Sequence, residues 1–279
     1  MQNQIDFKSR RRQIYLDEES YLNTVAQLEA ENAVESAPDL PPIDRCRNLQ
    51  LTALDSWTIF QLRYTAGESL TTLSKSLENV VARYEQWIAA LDDLSDDDYC
   101  PPFIMNDLID TYVDYLNLVS VAILLRRDDL VGRICALNEG TDFDEVDAVL
   151  EELFKFFLPN RPELDQWLWE KPYRTLLDAI DSDNAAEMKA EMRNYVKTWY
   201  RDMKGQAIFW GQHEKIKPEF TSYNGYWAMC AAAFTYLYDI DDSSYRDEMV
   251  YPKDLVDYAR SHTSTEQMNH LKKLSQKQF

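Results

Sequence analysis

The chain has 279 residues, with 29 Lys and Arg against 49 Asp and Glu, a net charge of −20, and 45% hydrophobic residues. That much apolar side chain excludes a disordered solvating tail, and the acidic excess excludes a general affinity for nucleic acid phosphates or anionic membranes. Six glycines against 17 Tyr, 11 Phe and 7 Trp argue against many tight β-turns and against a glycine-rich phosphate loop.

The first twelve residues are basic, with Lys8, Arg10, Arg11 and Arg12 against one Asp. No apolar stretch follows them, so they do not read as a signal peptide. Residues 13–199 hold the whole acidic excess, at −22. Pro38, Pro41 and Pro42 separate an N-terminal helix from the body. Leu73, Leu77, Val80, Tyr84, Trp87, Leu91 and Leu94 then recur at alternating spacings of four and three, which predicts an amphipathic helix. An acidic loop follows, with Asp92, Asp93, Asp96, Asp97 and Asp98, and Pro101-Pro102 close it.

The stretch from Phe103 to Leu125 is apolar nearly all round and predicts a central buried helix. Its most apolar part, Tyr115 to Leu125, is too short to span a bilayer. Arg126-Arg127-Asp128-Asp129 breaks the composition and marks a soft subdomain boundary. Thr141 reads as the N-cap of a helix with Asp142, Asp144 and Glu145 in its first turn and Val146, Val149, Leu150, Leu153 and Phe157 on its inner face. Helices are predicted from about Pro172 to Ile180 and from about Asn184 to Met203, with Asp181, Ser182 and Asp183 as turn and cap residues between them. Tyr226 to Tyr238, rich in Ala and aromatics, suits a tightly packed helix, and Pro252 starts another. The tail from Ser264 to Phe279 is a basic amphipathic helix or a frayed end. No run of alternating β-branched residues stands out. The fold expected is all-α, about a dozen helices packed as antiparallel pairs in two helical subdomains.

Catalytic machinery is sparse. Asp92-Asp93-Leu94-Ser95-Asp96 matches the DDxxD of Mg²⁺-dependent terpene cyclases, and Asp239-Ile240-Asp241-Asp242 matches the DxDD of the protonating class. Both strings are short, and a chain this acidic produces them by chance. The second metal motif of the first class is absent. His213, His262 and His270 are too dispersed for a helical metal pair and read as surface or helix-capping residues, His213 in a structural hydrogen bond. Cys46, Cys100, Cys135 and Cys230 contain no CxxC pair, which points to reduced thiols of a cytosolic protein, with no metal site and no disulfide framework. No cofactor and no catalytic residue is expected. The acidic clusters are Asp92, Asp93 and Asp96 to Asp98; Asp128 and Asp129; and Asp142, Asp144, Glu145, Asp147, Glu151 and Glu152. Together they form an electrostatic footprint for a cationic protein.

An ordered set of uncommon residues runs through the second half. It comprises Trp169-Glu170-Lys171-Pro172-Tyr173, Trp199-Tyr200, Trp210, Gln212-His213, Tyr223-Asn224-Gly225-Tyr226-Trp227, Ala231-Ala232-Ala233, Asp239 to Ser244, and Tyr251-Pro252-Lys253-Asp254-Leu255. The set resembles the C-terminal domain of the PoNi family, immunity proteins that neutralise polymorphic nuclease effectors. Leu62-Arg63-Tyr64-Thr65-Ala66-Gly67-Glu68-Ser69-Leu70 resembles a segment of that family's N-terminal domain. The chain departs from the family at Cys230, where a glutamate is usual, and at Val250, where a second aromatic is common.

The resemblance implies a division into 1–127 and 128–279. It also implies a bacterial cytoplasmic inhibitor of a DNase toxin delivered between competing bacteria by type VI secretion. The partner is then a basic nuclease, with no nucleic acid and no membrane. Toxin-facing candidates are Asp92, Asp93, Asp96, Asp97, Asp98, Asp128, Asp129, Asp142, Asp144, Glu145, Asp147, Asp241 and Asp242. Trp199, Tyr200, Gly225, Tyr226, Trp227, Asp239, Ser243, Tyr251, Pro252, Asp254 and Leu255 are read as structural. An all-α acidic adaptor for some other basic protein is the alternative, and a terpene-cyclase-like enzyme a more distant one.

Overall fold

The computed structural model describes residues 6–34, 39–95, 98–182 and 184–275. Among these, every regular element is helical apart from one isolated β-bridge between Lys217 and Phe220. The helices are α1 (Phe7–Arg10), α2 (Glu18–Asn32), α3 (Pro42–Thr65), α4 (Leu70–Leu91), α5 (Ile109–Leu124), α6 (Asp128–Ala136), α7 (Ala148–Phe154), α8 (Glu170–Asp181), α9 (Ala185–Asp202), α10 (Met229–Leu237), α11 (Lys253–Ser261) and α12 (Thr265–Ser275), with a 3-10 turn at Gln212–Lys215. None of the described helices is long and apolar enough to cross a membrane.

By contact the chain forms two compact units. The first is Met1–Pro102 with Gly211–Gly225, and the second Phe103–Trp210 with Tyr226–Phe279. The units therefore part at 102/103, ahead of the 127/128 position at which the sequence composition breaks.

In the first unit α3 and α4 pack along one another. The stripe read from the sequence is the buried face of α4, from Leu73 through Leu77, Val80, Tyr84 and Trp87 to Leu91. Burying a large apolar side chain stabilises by about 2 kcal/mol, so this face holds the hairpin together. The link between the two helices turns on Gly67, whose φ is +91°. A Cβ there would lie 2.1 Å from the Arg10 carbonyl oxygen, so only glycine fits the segment that resembled the family. The basic N-terminus is folded in as well. Arg12 donates to the carbonyl oxygens of Tyr64 and Glu68, and its guanidinium lies 4.4 Å from the centre of the Tyr64 ring. The 211–225 segment is fastened by the Thr221 N–H donating to Thr24 Oγ1 at 2.9 Å and by Tyr223 O–H donating to Gln13. The His213 ring lies 4.3 Å from that of Tyr15.

The second unit is built round α5, buried from Tyr115 through Leu124 without interruption. The helix starts at Ile109, later than the predicted Phe103. Residues 103–108 are fixed by tertiary contact instead, for example through Trp169 Nε1–H donating to the Met105 carbonyl at 2.7 Å. Helix α10 packs on α5, and Ala231, Ala232 and Ala233 are fully buried. Helices α8 and α9 form a second hairpin. Asn184 caps α9, accepting the Ala186 N–H at 2.9 Å. Asn184 is exposed and its side chain makes no other hydrogen bond among the described residues, so Asn184→Ala is expected to lower the unfolding free energy by about 1 kcal/mol in urea titrations, with an unchanged m-value. Asp183, assigned to the same turn from sequence, and Pro38 lie outside the described residues.

One helix begins elsewhere than predicted. Thr141 does not cap a helix: its hydroxyl bonds Asn138, and Glu145 takes a left-handed φ of +54° that interrupts any helix through it. The helix begins at Ala148, with Asp147 as its N-cap.

Candidate functional site

The expected acidic surface divides into groups with different surroundings. After α4, Asp92, Asp93 and Asp98 are exposed. Asp93 pairs with Arg45, and Asp98 accepts the Ser95 hydroxyl at 2.7 Å. Asp96 and Asp97 lie outside the described residues. Asp128 and Asp129 open α6, where negative charge suits the helix dipole. Each is also held by an arginine two positions before it, Arg126 to Asp128 at 2.9 Å and Arg127 to Asp129 at 2.7 Å. The Arg127 hydrogen bond holds the Asp129 carboxyl below its ordinary range.

The 142–151 cluster folds inward on one cation. Arg161 meets Glu151 at 2.5 Å, Asp144 at 3.2 Å and Glu145 at 3.6 Å. Asp142 stays exposed. Asp147 is buried, and its carboxylate accepts the Leu150 and Leu168 N–H groups and the Tyr112 hydroxyl, at 3.0, 2.9 and 2.9 Å. Burial pushes that carboxyl above its ordinary range, against the pull of these hydrogen bonds. Glu152 accepts from Tyr238 and pairs with Lys155.

The 239–245 segment is a tied-down turn. Asp239 has a left-handed φ of +51°, directly after the end of α10, and pairs with Lys272 at 2.7 Å. Asp241 is exposed, accepts the Ser243 N–H at 3.0 Å and bonds Lys189. The lysine and the turn hold its carboxyl well below the carboxylate range. Asp242 is buried, between Arg246 at 3.0 Å, Arg260 at 3.1 Å and the Tyr251 hydroxyl at 3.2 Å. Asp147 and Asp242, both expected to face a partner, thus do not belong to the exposed acidic surface; neighbouring donors hold them inside.

Trp199, Tyr226 and Trp227 are buried, and Trp199 stacks on Phe209 with ring centres 5.8 Å apart. Tyr200 stacks on Trp210 at 5.4 Å and meets Tyr226 at 4.5 Å. Gly225 has a φ of +112°, a conformation that favours glycine. Tyr251 and Leu255 are buried, Pro252 caps α11, and Asp254 sits in its first turn. Ser243 donates to Asp241. Cys230, in place of the family's usual glutamate, is buried 3.2 Å from the Tyr195 hydroxyl, and burial pushes its thiol up to about 12. It is an inert core residue rather than a nucleophile.

Sequence reasoning passed over Glu163 and Asp165. Both are exposed, and neither has a hydrogen bond or ion pair among the described residues. They lie between Pro162 and Pro172 in a stretch with no helical period, so neither patterning nor clustering singled them out. No group of three or more His, Cys, Asp or Glu among the described residues is placed to hold a metal ion.

Comparison with known proteins agrees with this architecture. Residues 145–255, less than half of the chain, match the family model described as PoNe immunity proteins (PoNi), C-terminal. The crystal structure of protein PA2201 from Pseudomonas aeruginosa superposes with a TM-score of 0.71, over 90% of this chain and 91% of that one, at 18% identity. At that identity the likeness is one of fold. No curated protein matches the sequence.

Proposed function

We propose that this chain is an immunity protein that binds a DNase toxin and blocks it as a stoichiometric inhibitor, carrying out no reaction itself. The observation that carries the reading is the match of residues 145–255 to the PoNi C-terminal family. That stretch falls inside 128–279, read as the family's C-terminal domain, with 1–127 as the N-terminal one. Physical chemistry supports the same reading. A DNase needs a cationic groove to hold phosphates, and a chain of net charge −20 is drawn to such a surface. The inhibitor then acts in the cytoplasm of the bacterium under attack, where it covers the toxin's active site or DNA groove.

The test is co-expression with the nuclease encoded beside it. Growth is expected to be restored, and the purified proteins to form a stable complex. Association is expected to slow at least about tenfold as salt is raised from about 0.05 M to about 0.5 M, because steering between opposite charges is screened. A chain that neither binds that nuclease nor restores growth defeats the reading; salt-independent association removes the steering.

A further inference from the structure

Within the second unit, α7, the 161–167 segment, α8 and the end of α12 enclose a cleft of about 740 Å³. We propose that this cleft is where the toxin is gripped, by receiving a loop of the nuclease that carries Arg or Lys. The proposal rests on the immunity reading and names the surface through which it operates.

Three observations carry it. The first is charge. Six carboxylates and four cations line the cleft, a net of −2. Three of the cations are already engaged: Arg161 with Glu151, Lys155 with Glu152, and Arg174 with Asp178 at 2.9 Å. Glu163 and Asp165 have no such neighbour among the described residues. Two carboxylates two residues apart repel one another, and an incoming cation relieves that repulsion.

The second is the indole. Trp167 is half-buried in the cleft wall and donates its Nε1–H to Glu170 at 3.0 Å. The Arg174 guanidinium lies 4.9 Å from the ring centre while it bonds Asp178. An aromatic ring flanked by carboxylates is a setting in which a guanidinium is favourable, and the chain's own Arg174 adopts it. Trp is also among the residues that dominate binding energy at protein interfaces.

The third is size. The volume is within the range of clefts that hold a ligand much larger than one side chain, so a short loop fits, not only a single arginine. By contrast, Asp144 and Glu151 of the 142–151 cluster are already held by Arg161, and Asp93 by Arg45.

The test uses the full-length chain and a catalytically inactivated form of the neighbouring nuclease, with binding followed by calorimetry. Glu163→Lys with Asp165→Lys is compared with Asp92→Lys with Asp98→Lys, a reversal of equal size outside the cleft. The cleft pair is expected to raise Kd about a hundredfold and abolish protection, and the control pair to change Kd less than about threefold. Glu163→Gln with Asp165→Gln, expected to raise Kd about tenfold, gives the answer should the lysine pair lower the melting temperature. Tight wild-type binding that the cleft variants leave intact overturns the cleft and leaves the immunity reading standing. Equal losses in the cleft and control pairs mean diffuse attraction and also overturn it. Failure of the wild type to bind removes both.

Discussion

Replacing Asp242 by alanine is expected to lower the unfolding free energy by about 3 kcal/mol, read by urea denaturation at neutral pH. The carboxylate is buried and binds two guanidinium groups and one phenol. Its removal does not strand every partner. Arg246 keeps Asp257 at 2.7 Å, and Arg260 keeps the Ile240 carbonyl at 2.7 Å. Tyr251, buried against Tyr245 with ring centres 5.1 Å apart, loses the acceptor of its hydroxyl. Losing that acceptor costs about 1 kcal/mol, since Thr235 still neighbours the hydroxyl, and the guanidinium groups left with one carboxylate fewer account for the rest. Asp242→Asn retains shape and one acceptor, so it is expected to cost roughly half as much. Because Asp242 does not reach the surface, the folded Asn variant is expected to bind the inactivated nuclease with wild-type affinity. A loss of affinity without a loss of stability would place Asp242 in the interface instead.

The acidic segments show which part of such a site a sequence reveals. Every carboxylate was visible, but several of the cations that meet them were not, because these come from far along the chain. Arg45 reaches Asp93 across 48 residues, Arg161 reaches Asp144 across 17, and Arg260 reaches Asp242 across 18. No local rule pairs them, so the charge pattern overstated the exposed negative surface at 142–151 and 241–242. Helices with a complete local signature were legible. The stripe of α4 and the start of α9 near Asn184 each depend on residues within a few turns. The start of α7 was misplaced because Thr141 and Asp147 are both acceptable caps. The choice depends on Tyr112 and Leu168, which bond Asp147 from outside its helix. The cleft residues Glu163, Asp165 and Trp167 were hidden for the same reason, since the elements that surround them meet only in the folded chain.

Asp147→Ala is expected to destabilise by about 4 kcal/mol, enough to reduce the yield of folded protein. Three losses combine within the second unit. The Leu150 N–H loses its cap, worth about 1 kcal/mol. The Leu168 N–H and the Tyr112 hydroxyl lose their acceptor, at about 1–3 kcal/mol each where water does not reach them. The carboxyl also carries a pH signature, because burial raises its folded pKa above the ordinary aspartate value. A raised carboxyl pKa means that the folded state holds its proton more tightly than the unfolded state. The associated stability is full below the unfolded pKa, about 3.9, and is lost as pH rises through the higher folded value. The stability difference between the wild type and Asp147→Ala is therefore expected to be wider near pH 3.5 than at pH 7. Urea titrations of both proteins across that range measure it directly. A difference that grows with rising pH reverses the sign and means that the three hydrogen bonds outweigh the desolvation of the carboxylate.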